Sequence, residues 1–210
     1  MKKLIIVAMA LTCATAIVSA DTVTSENIVG YVKLQNSAGF RVLGTPFVAT
    51  TNTPAGVFGD TLPVGSKVYI YDTNYQIAEY IEDFLGAKSW DNDFNIGAPV
   101  GYWLSVPSAV TNIVSGNVEL ADSVTNSIVV GLQLLSYPYP VERTVEQLGF
   151  TPSVGDKIYK YGTTYQIAEY VEDFLGVKSW DNNFIIGVEE GFWYEAVGAQ
   201  DWIVSRPFTP

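Results

Sequence analysis

With no histidine anywhere in the chain, acid–base chemistry at neutral pH falls to carboxylates. Four of them recur: Glu79, Glu82, Asp83 and Asp91 return 90 residues later as Glu169, Glu172, Asp173 and Asp181. Two carboxyl groups about 5 to 10 Å apart are what glycoside hydrolysis uses, one protonating the leaving oxygen and the other acting as base or nucleophile. That chemistry needs the two in unlike environments. Here they occur as equivalent sets in two places, so acids on the solvent face of a strand are the simpler expectation, and a carboxylate-dependent glycosidase is the third-ranked reading. The missing imidazole also removes the usual Ser/His/Asp triads, Cys/His pairs and most zinc sites.

Two other groupings bear on binding. Asp91-Asn92-Asp93-Phe94-Asn95 places side-chain oxygens of Asp91, Asp93 and Asn95 at alternate positions, as a loop does when it wraps calcium. It lacks the glycine of the tight turn and a terminal glutamate, and the second copy, Asp181-Asn182-Asn183-Phe184-Ile185, has lost two of those oxygens. The expectation is therefore a polar turn and no cofactor, with calcium as the alternative. Trp90 and Trp180 stand next to Asp91 and Asp181, and an indole face beside a carboxylate can stack on a sugar ring and hydrogen-bond to its rim. These four are the candidate ligand-binding residues. Trp103 and Trp193, inside apolar runs, are expected in the core.

The elements that must position these residues come from a duplicated chain. Between Tyr75 and Gly97, matched to Tyr165 to Gly187, 19 of 23 positions are identical. An offset of 92 extends the match upstream, where Gly39-Phe40-Arg41-Val42-Leu43 lies over Gly131-Leu132-Gln133-Leu134-Leu135. Within each copy, Val68 to Tyr71 and Ile158 to Tyr161 are β-branched and aromatic runs between glycine and turn residues, which predicts strands. Hairpins are predicted across Asp72 to Asn74 and Gly162 to Thr164. The stretch from Ile77 to Leu85 reads as a strand to about Ile81 and then an irregular turn, a short helix capped by Gly86 being the alternative. Short helical turns are expected after Thr53 and Thr144. Similar segments at Ile28-Val29, Ile113-Val114 and Ile203-Val204 suggest three boundary strands, the middle one shared. The sum is an all-β fold of two tandem sandwich- or barrel-like repeats related by pseudo-twofold symmetry, at 21–115 and 116–210, the latter boundary being soft.

Residues 1–20 read as a secretory signal peptide: Lys2 and Lys3, an apolar run from Leu4 to Val18, then small residues before Asp21. The only cysteine, Cys13, lies inside that segment, so a mature chain has no disulfide or thiolate; Leu11 is wrongly placed for the lipobox that would acylate Cys13. Loss of Lys2 and Lys3 leaves nine basic residues against 22 acidic ones, a formal charge of −13. Such a field repels phosphate backbones and anionic lipid heads, so nucleic acid is not an expected partner. Beyond the signal no segment is long and apolar enough to span a bilayer. The expected location is the periplasm, the cell surface or the extracellular space.

The order of "NIVGYVKL" from Asn27, "GFRVLGTPF" from Gly39, then "VYIYD", "SWDN" and "GYW", resembles a family of exported two-repeat β proteins of unassigned function found in Verrucomicrobia and related phyla. The resemblance implies export and a doubled β fold; it carries no catalytic or binding residues. The second copy departs from it, with "GNVEL" for "GYVKL" and "YPYP" for "TPF". The leading expectation is thus an exported, non-catalytic structural or interaction protein of the cell surface or matrix. Its expected partner is a further copy of itself, joined head to tail by boundary strands. The alternative is a bivalent carbohydrate-binding module for an extracellular glycan.

Overall fold

The computed structural model describes residues 28–209, so the expected signal segment with Cys13 lies outside the described residues. The first module runs β1 (Val29–Asn36), β2 (Gly39–Gly44), β3 (Phe47–Val48), a short helix α1 (Pro54–Phe58), β4 (Lys67–Asp72), β5 (Asn74–Glu82), β6 (Lys88–Trp90), β7 (Gly101–Val106) and β8 (Val110–Val118). The second runs β9 (Ser123–Ile128), β10 (Gly131–Ser136), β11 (Arg143–Thr144), a 3-10 turn at Val145–Leu148, β12 (Lys157–Tyr161), β13 (Tyr165–Glu172), β14 (Lys178–Trp180), β15 (Ile185–Ile186), β16 (Gly191–Ala196) and β17 (Gln200–Ser205).

Each module packs a five-stranded antiparallel sheet against a smaller one. The large sheets have the matching orders β2-β7-β4-β5-β6 and β10-β16-β12-β13-β14. In the first module β1-β8-β3 covers the core; in the second β9 pairs with β17, and β11 with β15. The period-2 alternation of a strand explains what lies between the sheets. Val68 and Ile70 of β4, with Tyr102 and Leu104 of β7, point inward and meet Leu34 and Val114 from the smaller sheet. Ile158, Ala168, Phe192 and Tyr194 do the same beneath Ile128 and Val204. Each fully buried side chain of this size contributes roughly 1.5–3 kcal/mol. The all-β, pseudo-twofold pair of sandwich-like repeats with only short helical turns is therefore the observed architecture.

Local chemistry agrees with the turns that form. The β4–β5 hairpin closes through Thr73 at a φ of 60°, with Asp72 and Asn74 paired across it. Thr53 caps α1, its hydroxyl accepting from the Gly56 N–H at 3.3 Å, and Pro54 fills the first turn, where no donor is needed. The stretch beyond Ile81 is strand to Glu82 and then a turn, not a helix.

Two differences from the sequence reading concern the module edges. Instead of three boundary strands there are four: β8 closes the first module and β9 opens the second, with Glu119 to Asp122 between them. The segment Ser123–Ile128 has only Val124 and Ile128 as apolar residues, with Thr125, Asn126 and Ser127 in a row between them, so β9 had a weak signal beside β8. β1 pairs with β8 and β17 with β9, so each boundary strand has a partner within its own module, while β1 keeps one free edge in the order β1-β8-β3 and β9 and β17 keep one each in their two-stranded sheet. The second difference is β3. Tyr139 stands where Phe47 stands in the first copy, fully buried, and its hydroxyl donates to the Ala121 carbonyl at 2.8 Å. A ring anchored in this way fills the space without a strand. Among the described residues no helix is long and apolar enough to cross a membrane.

Candidate functional site

The recurrent acids serve the backbone and neighbouring lysines. Asp91 Oδ1 accepts from the Glu79 N–H at 2.7 Å while the Asp91 N–H donates to the Glu79 carbonyl, and Asn92 Nδ2 reaches the Ile77 carbonyl at 3.0 Å. Asp181 and Asn182 repeat these bonds on Glu169 and Ile167. Together they latch the chain after β6 onto the free edge of β5, which accounts for the Asp-Asn pair in both copies. Glu79 pairs with Lys67 at 3.0 Å, and Glu82 sits 3.7 Å from Lys88. The Glu79 hydrogen bond raises the Lys67 pKa.

Of the loop residues expected as calcium ligands, two are engaged by backbone N–H groups and one faces solvent. Asp91 is tied to β5, Asn95 Oδ1 accepts from the Gly97 N–H at 3.0 Å, and Asp93 is exposed. Among the described residues no group of three His, Cys, Asp or Glu side chains is placed to hold a metal ion.

Trp90 and Trp180 are half-buried against the module cores. Trp90 donates its indole N–H to the Gly59 carbonyl at 3.0 Å and packs on Tyr80 and Phe58, with centroid distances of 5.4 and 6.2 Å. Trp180 lies 5.4 Å from Tyr170. Both rings remain partly exposed, and Trp90 lines a cleft of ≈ 310 Å³ with Tyr80, Asn92 and Asp93.

The structure assembles a different aromatic surface, on the outer faces of the two large sheets. The sheets meet across the pseudo-twofold axis, where Leu43 bridges to Glu190 and, symmetrically, Val100 to Leu135. The Gly44 N–H donates to the Glu189 carbonyl at 2.9 Å, and the Ser136 N–H to the Pro99 carbonyl at 2.8 Å. Gly101 and Gly191 make this approach possible: a Cβ there would lie 2.4 Å from the Leu135 oxygen and 2.5 Å from the Leu43 oxygen.

Rings then pair across the axis. Trp103 of β7 meets Tyr161 of β12 edge-on at 4.8 Å, and Tyr71 of β4 meets Trp193 of β16 at 5.4 Å. Each tyrosine continues to a neighbour in its own hairpin, Tyr71 to Tyr75 and Tyr161 to Tyr165, both at 5.2 Å. Val42, Leu134 and Trp193 are buried beneath this contact. Trp103 and Trp193 thus belong to neither module core, as the sequence reading had placed them, but to the layer that joins the modules.

Above the layer lie two adjoining apolar clefts of ≈ 450 Å³ and ≈ 520 Å³, which share Tyr75 and Trp103. Phe40, Tyr75 and Ile77 rim the first, and their counterparts Leu132, Tyr165 and Ile167 rim the second; all six are exposed. Burial raises the pKa of the Tyr165 phenol, with Tyr161 and Tyr75 adding to it. Burial, and then the hydrogen bond to Glu195, push Tyr159 up to about 12. The titrations of these two phenols thus lie further above neutral pH than usual, so both are uncharged there.

No protein family, characterised protein or solved structure matches this chain. The reading of the site therefore rests on its own geometry. A larger crevice of ≈ 660 Å³, also between the modules, has Asp72 as its one carboxylate. On the pseudo-symmetric side Lys160, paired with Glu190 at 2.5 Å, stands where Ile70 lines this crevice.

The aromatic layer had a legible signal. In β4 and β7 the apolar residues do not alternate with polar ones: Val68-Tyr69-Ile70-Tyr71 and Tyr102-Trp103-Leu104 are apolar on both faces. A strand of that kind is covered on both sides, or offers one side to a partner.

Proposed function

We propose that this is an exported, non-catalytic structural or interaction protein of the cell surface or extracellular matrix that binds through the aromatic clefts shared by its two modules. The observation that carries this reading is the pair of cross-axis ring contacts, Trp103–Tyr161 and Tyr71–Trp193, with exposed apolar residues on either side. Contiguous exposed apolar surface on this scale marks an interaction site. The engagement of Asp91, Asp181, Glu79 and Glu82 with backbone and lysines supports a non-catalytic role. The charged n-region and apolar run of residues 1–20 support export.

The test pairs two measurements. Expression of the whole chain in a Gram-negative host is expected to yield an exported protein beginning at Asp21, read by mass spectrometry; retention of Met1 in the cytoplasm would overturn export. Replacement of the exposed rim by Tyr75→Ser and Tyr165→Ser is expected to abolish binding or self-association of the mature chain while the fold is kept. Unchanged association would remove the clefts from the argument.

A carbohydrate partner is the second reading, favoured by the exposed rings of Tyr75 and Tyr165 and the half-buried Trp103 in the same clefts, where an apolar sugar face can stack. It adds these three to the candidates Trp90 and Trp180, and a glycan array with the Tyr75→Ser, Tyr165→Ser variant as control decides between the two sets.

A further inference from the structure

The turn between β5 and β6 is fixed by its own backbone and one carboxylate. Asp83 Oδ1 accepts from the N–H groups of Leu85 and Ala87 at 2.8 and 2.9 Å, the Asp83 N–H donates to the Ala87 carbonyl, and Gly86 supplies the left-handed φ of 81°. Asp173, Leu175, Gly176 and Val177 form the same turn in the second module. These bonds explain Asp83 and Gly86. They leave the two residues between them in solvent: Phe84 is 94 % and Leu85 78 % exposed, Phe174 94 % and Leu175 73 %.

Nothing in the fold calls for Phe and Leu at such positions, yet both copies have them. Exposed positions outside this stretch have drifted between copies, as at Tyr31 against Ser123 and Lys33 against Thr125; within it the exposed Gln76, Glu82, Lys88 and Ser89 are kept along with the turn, while Ile81 against Val171 and Ala87 against Val177 differ. Two large apolar side chains held in water on a rigid turn form a knob, and an unchanged knob in each module asks for a matching hollow.

We propose that each Phe–Leu turn is a docking knob that inserts into the aromatic cleft of a second copy of this chain. The proposal rests on the clefts being the binding surface. Three observations select a second copy as the occupant. Knobs and clefts match in number, two of each, both related by the same pseudo-twofold. They match in chemistry, since apolar knobs meet clefts lined mainly by aromatic and aliphatic side chains, with Glu195, hydrogen-bonded to Tyr159, as the one carboxylate. Finally, β5 passes the cleft at Tyr75 and ends at the base of the knob with Glu82, and steps of about 3.3 Å per residue set the two roughly 23 Å apart along one strand. A knob at the far end of the strand that lines the cleft is placed for another molecule's cleft rather than its own.

Where each knob of a chain finds a different copy the assembly is open, whereas a reciprocal exchange closes it as a dimer. One Phe ring buries about 150–250 Å², so a single knob falls short of the roughly 1,200 Å² of a stable interface. Assembly is therefore weak per contact and dependent on concentration. It also strengthens with salt, which screens the repulsion between strongly acidic copies.

Sedimentation velocity of the mature chain over a concentration series, at low and high salt, tests this with two variants. One removes the knobs (Phe84→Ser, Leu85→Ser, Phe174→Ser, Leu175→Ser) and the other alters the clefts (Tyr75→Ser, Tyr165→Ser); circular dichroism checks that both keep the fold. The parent is expected to form concentration-dependent dimers or larger oligomers, each variant alone to remain monomeric, and an equimolar mixture of the two to assemble again, because one supplies intact clefts and the other intact knobs. A parent that stays monomeric at about 1 mM overturns the proposal, as does a mixture that stays monomeric. Assembly lost in the cleft variant but kept in the knob variant would overturn the knobs and leave the clefts as a binding surface; assembly kept in both would overturn the two readings together. Co-sedimentation of the monomeric parent with phosphatidylcholine vesicles, lost in the knob variant, would assign the knobs to a lipid surface instead.

Discussion

The two modules share a fold but divide their polar burial differently. In the first, the pair of boundary strands carries Asn36 and Asn112, both buried, with Asn36 Nδ2 donating to Asn112 Oδ1 at 2.9 Å. The same places in the second module hold Ile128 and Trp202, and Trp202 is locked in by an indole N–H bond to the Leu148 carbonyl at 2.8 Å. Phe150 lies flat between Trp202 and Tyr194, at 4.6 and 4.1 Å. Where the first module has Ser66, Leu104 and Val110, the second has Asp156, Tyr194 and Gln200. Asp156 is fully buried without a cation, held by the Tyr194 hydroxyl at 2.6 Å and the N–H groups of Ser153 and Val197 at 2.9 and 2.8 Å. Burial, then the Asp156 hydrogen bond, raises the Tyr194 pKa. One backbone thus tolerates a polar group in either of two places, although the first module leaves Asn36 Oδ1 and Asn112 Nδ2 without a partner among the described residues.

The largest test of this contrast is at the closing strands. Trp202→Ala is expected to cost about 3–5 kcal/mol, the range for removing a buried large ring, whereas Asn112→Ala is expected to cost about 1–2 kcal/mol, the penalty of one partner left unpaired. Urea denaturation measures both, and equal losses would show that the two closures contribute alike.

Next is the buried carboxylate. Asp156→Ala strands the Tyr194 hydroxyl and two N–H groups, an expected loss of about 2–4 kcal/mol. The triple change Asp156→Ser, Tyr194→Leu, Gln200→Val installs the first module's residues together but leaves the Ser153 and Val197 N–H groups, where the first module has Pro63 and Pro107, without the carboxylate that accepts from them, and is expected to recover only part of that loss. A triple variant as unstable as the single one would mean that the second module's core has adapted beyond these residues.

A third test uses pH. Tyr159, hydrogen-bonded to Glu195, has its folded-state pKa raised to about 12. Below pH of about 10, the usual tyrosine value, its contribution to stability is complete. From there to about 12 the unfolded chain loses the proton first, so stability falls as pH rises. Ser105 stands opposite in the first module. Glu195→Ser is expected to flatten the alkaline decline in melting temperature, and an unchanged slope would break the assignment to Tyr159.

The smallest effect concerns the axis. Arg41 pairs with Glu189 at 2.9 Å, while the pseudo-symmetric places hold Gln133 and Pro99. Arg41→Gln is expected to cost at most about 1 kcal/mol, because both groups are partly solvated. A larger loss would show that this pair fixes the angle between the modules.

Much of the fold was legible because it depends on near neighbours in sequence. The hairpin at Asp72 to Asn74, the Thr53 cap and the turn beyond Glu82 follow from residues within a few positions of one another. The site was not legible in that way. Trp90 and Asp91 drew attention as an aromatic beside an acid, but Asp91 is spent on the Glu79 N–H and the Trp90 indole on the Gly59 carbonyl, partners 12 and 31 residues away. Trp103 looked like core because its neighbours Tyr102 and Leu104 are core, and the face it occupies depends on what covers the sheet.

By itself the sequence determined that the chain is doubled, that its strands alternate around two apolar cores, and that catalysis by imidazole is unavailable to it, because composition, repetition and period-2 patterning are properties of the chain alone. Only the tertiary structure decided which apolar faces remain in water. That depends on Gly101 and Gly191 letting two backbones approach, and on a pseudo-twofold contact that carries Trp103 to Tyr161 and Tyr71 to Trp193, between residues no local pattern links.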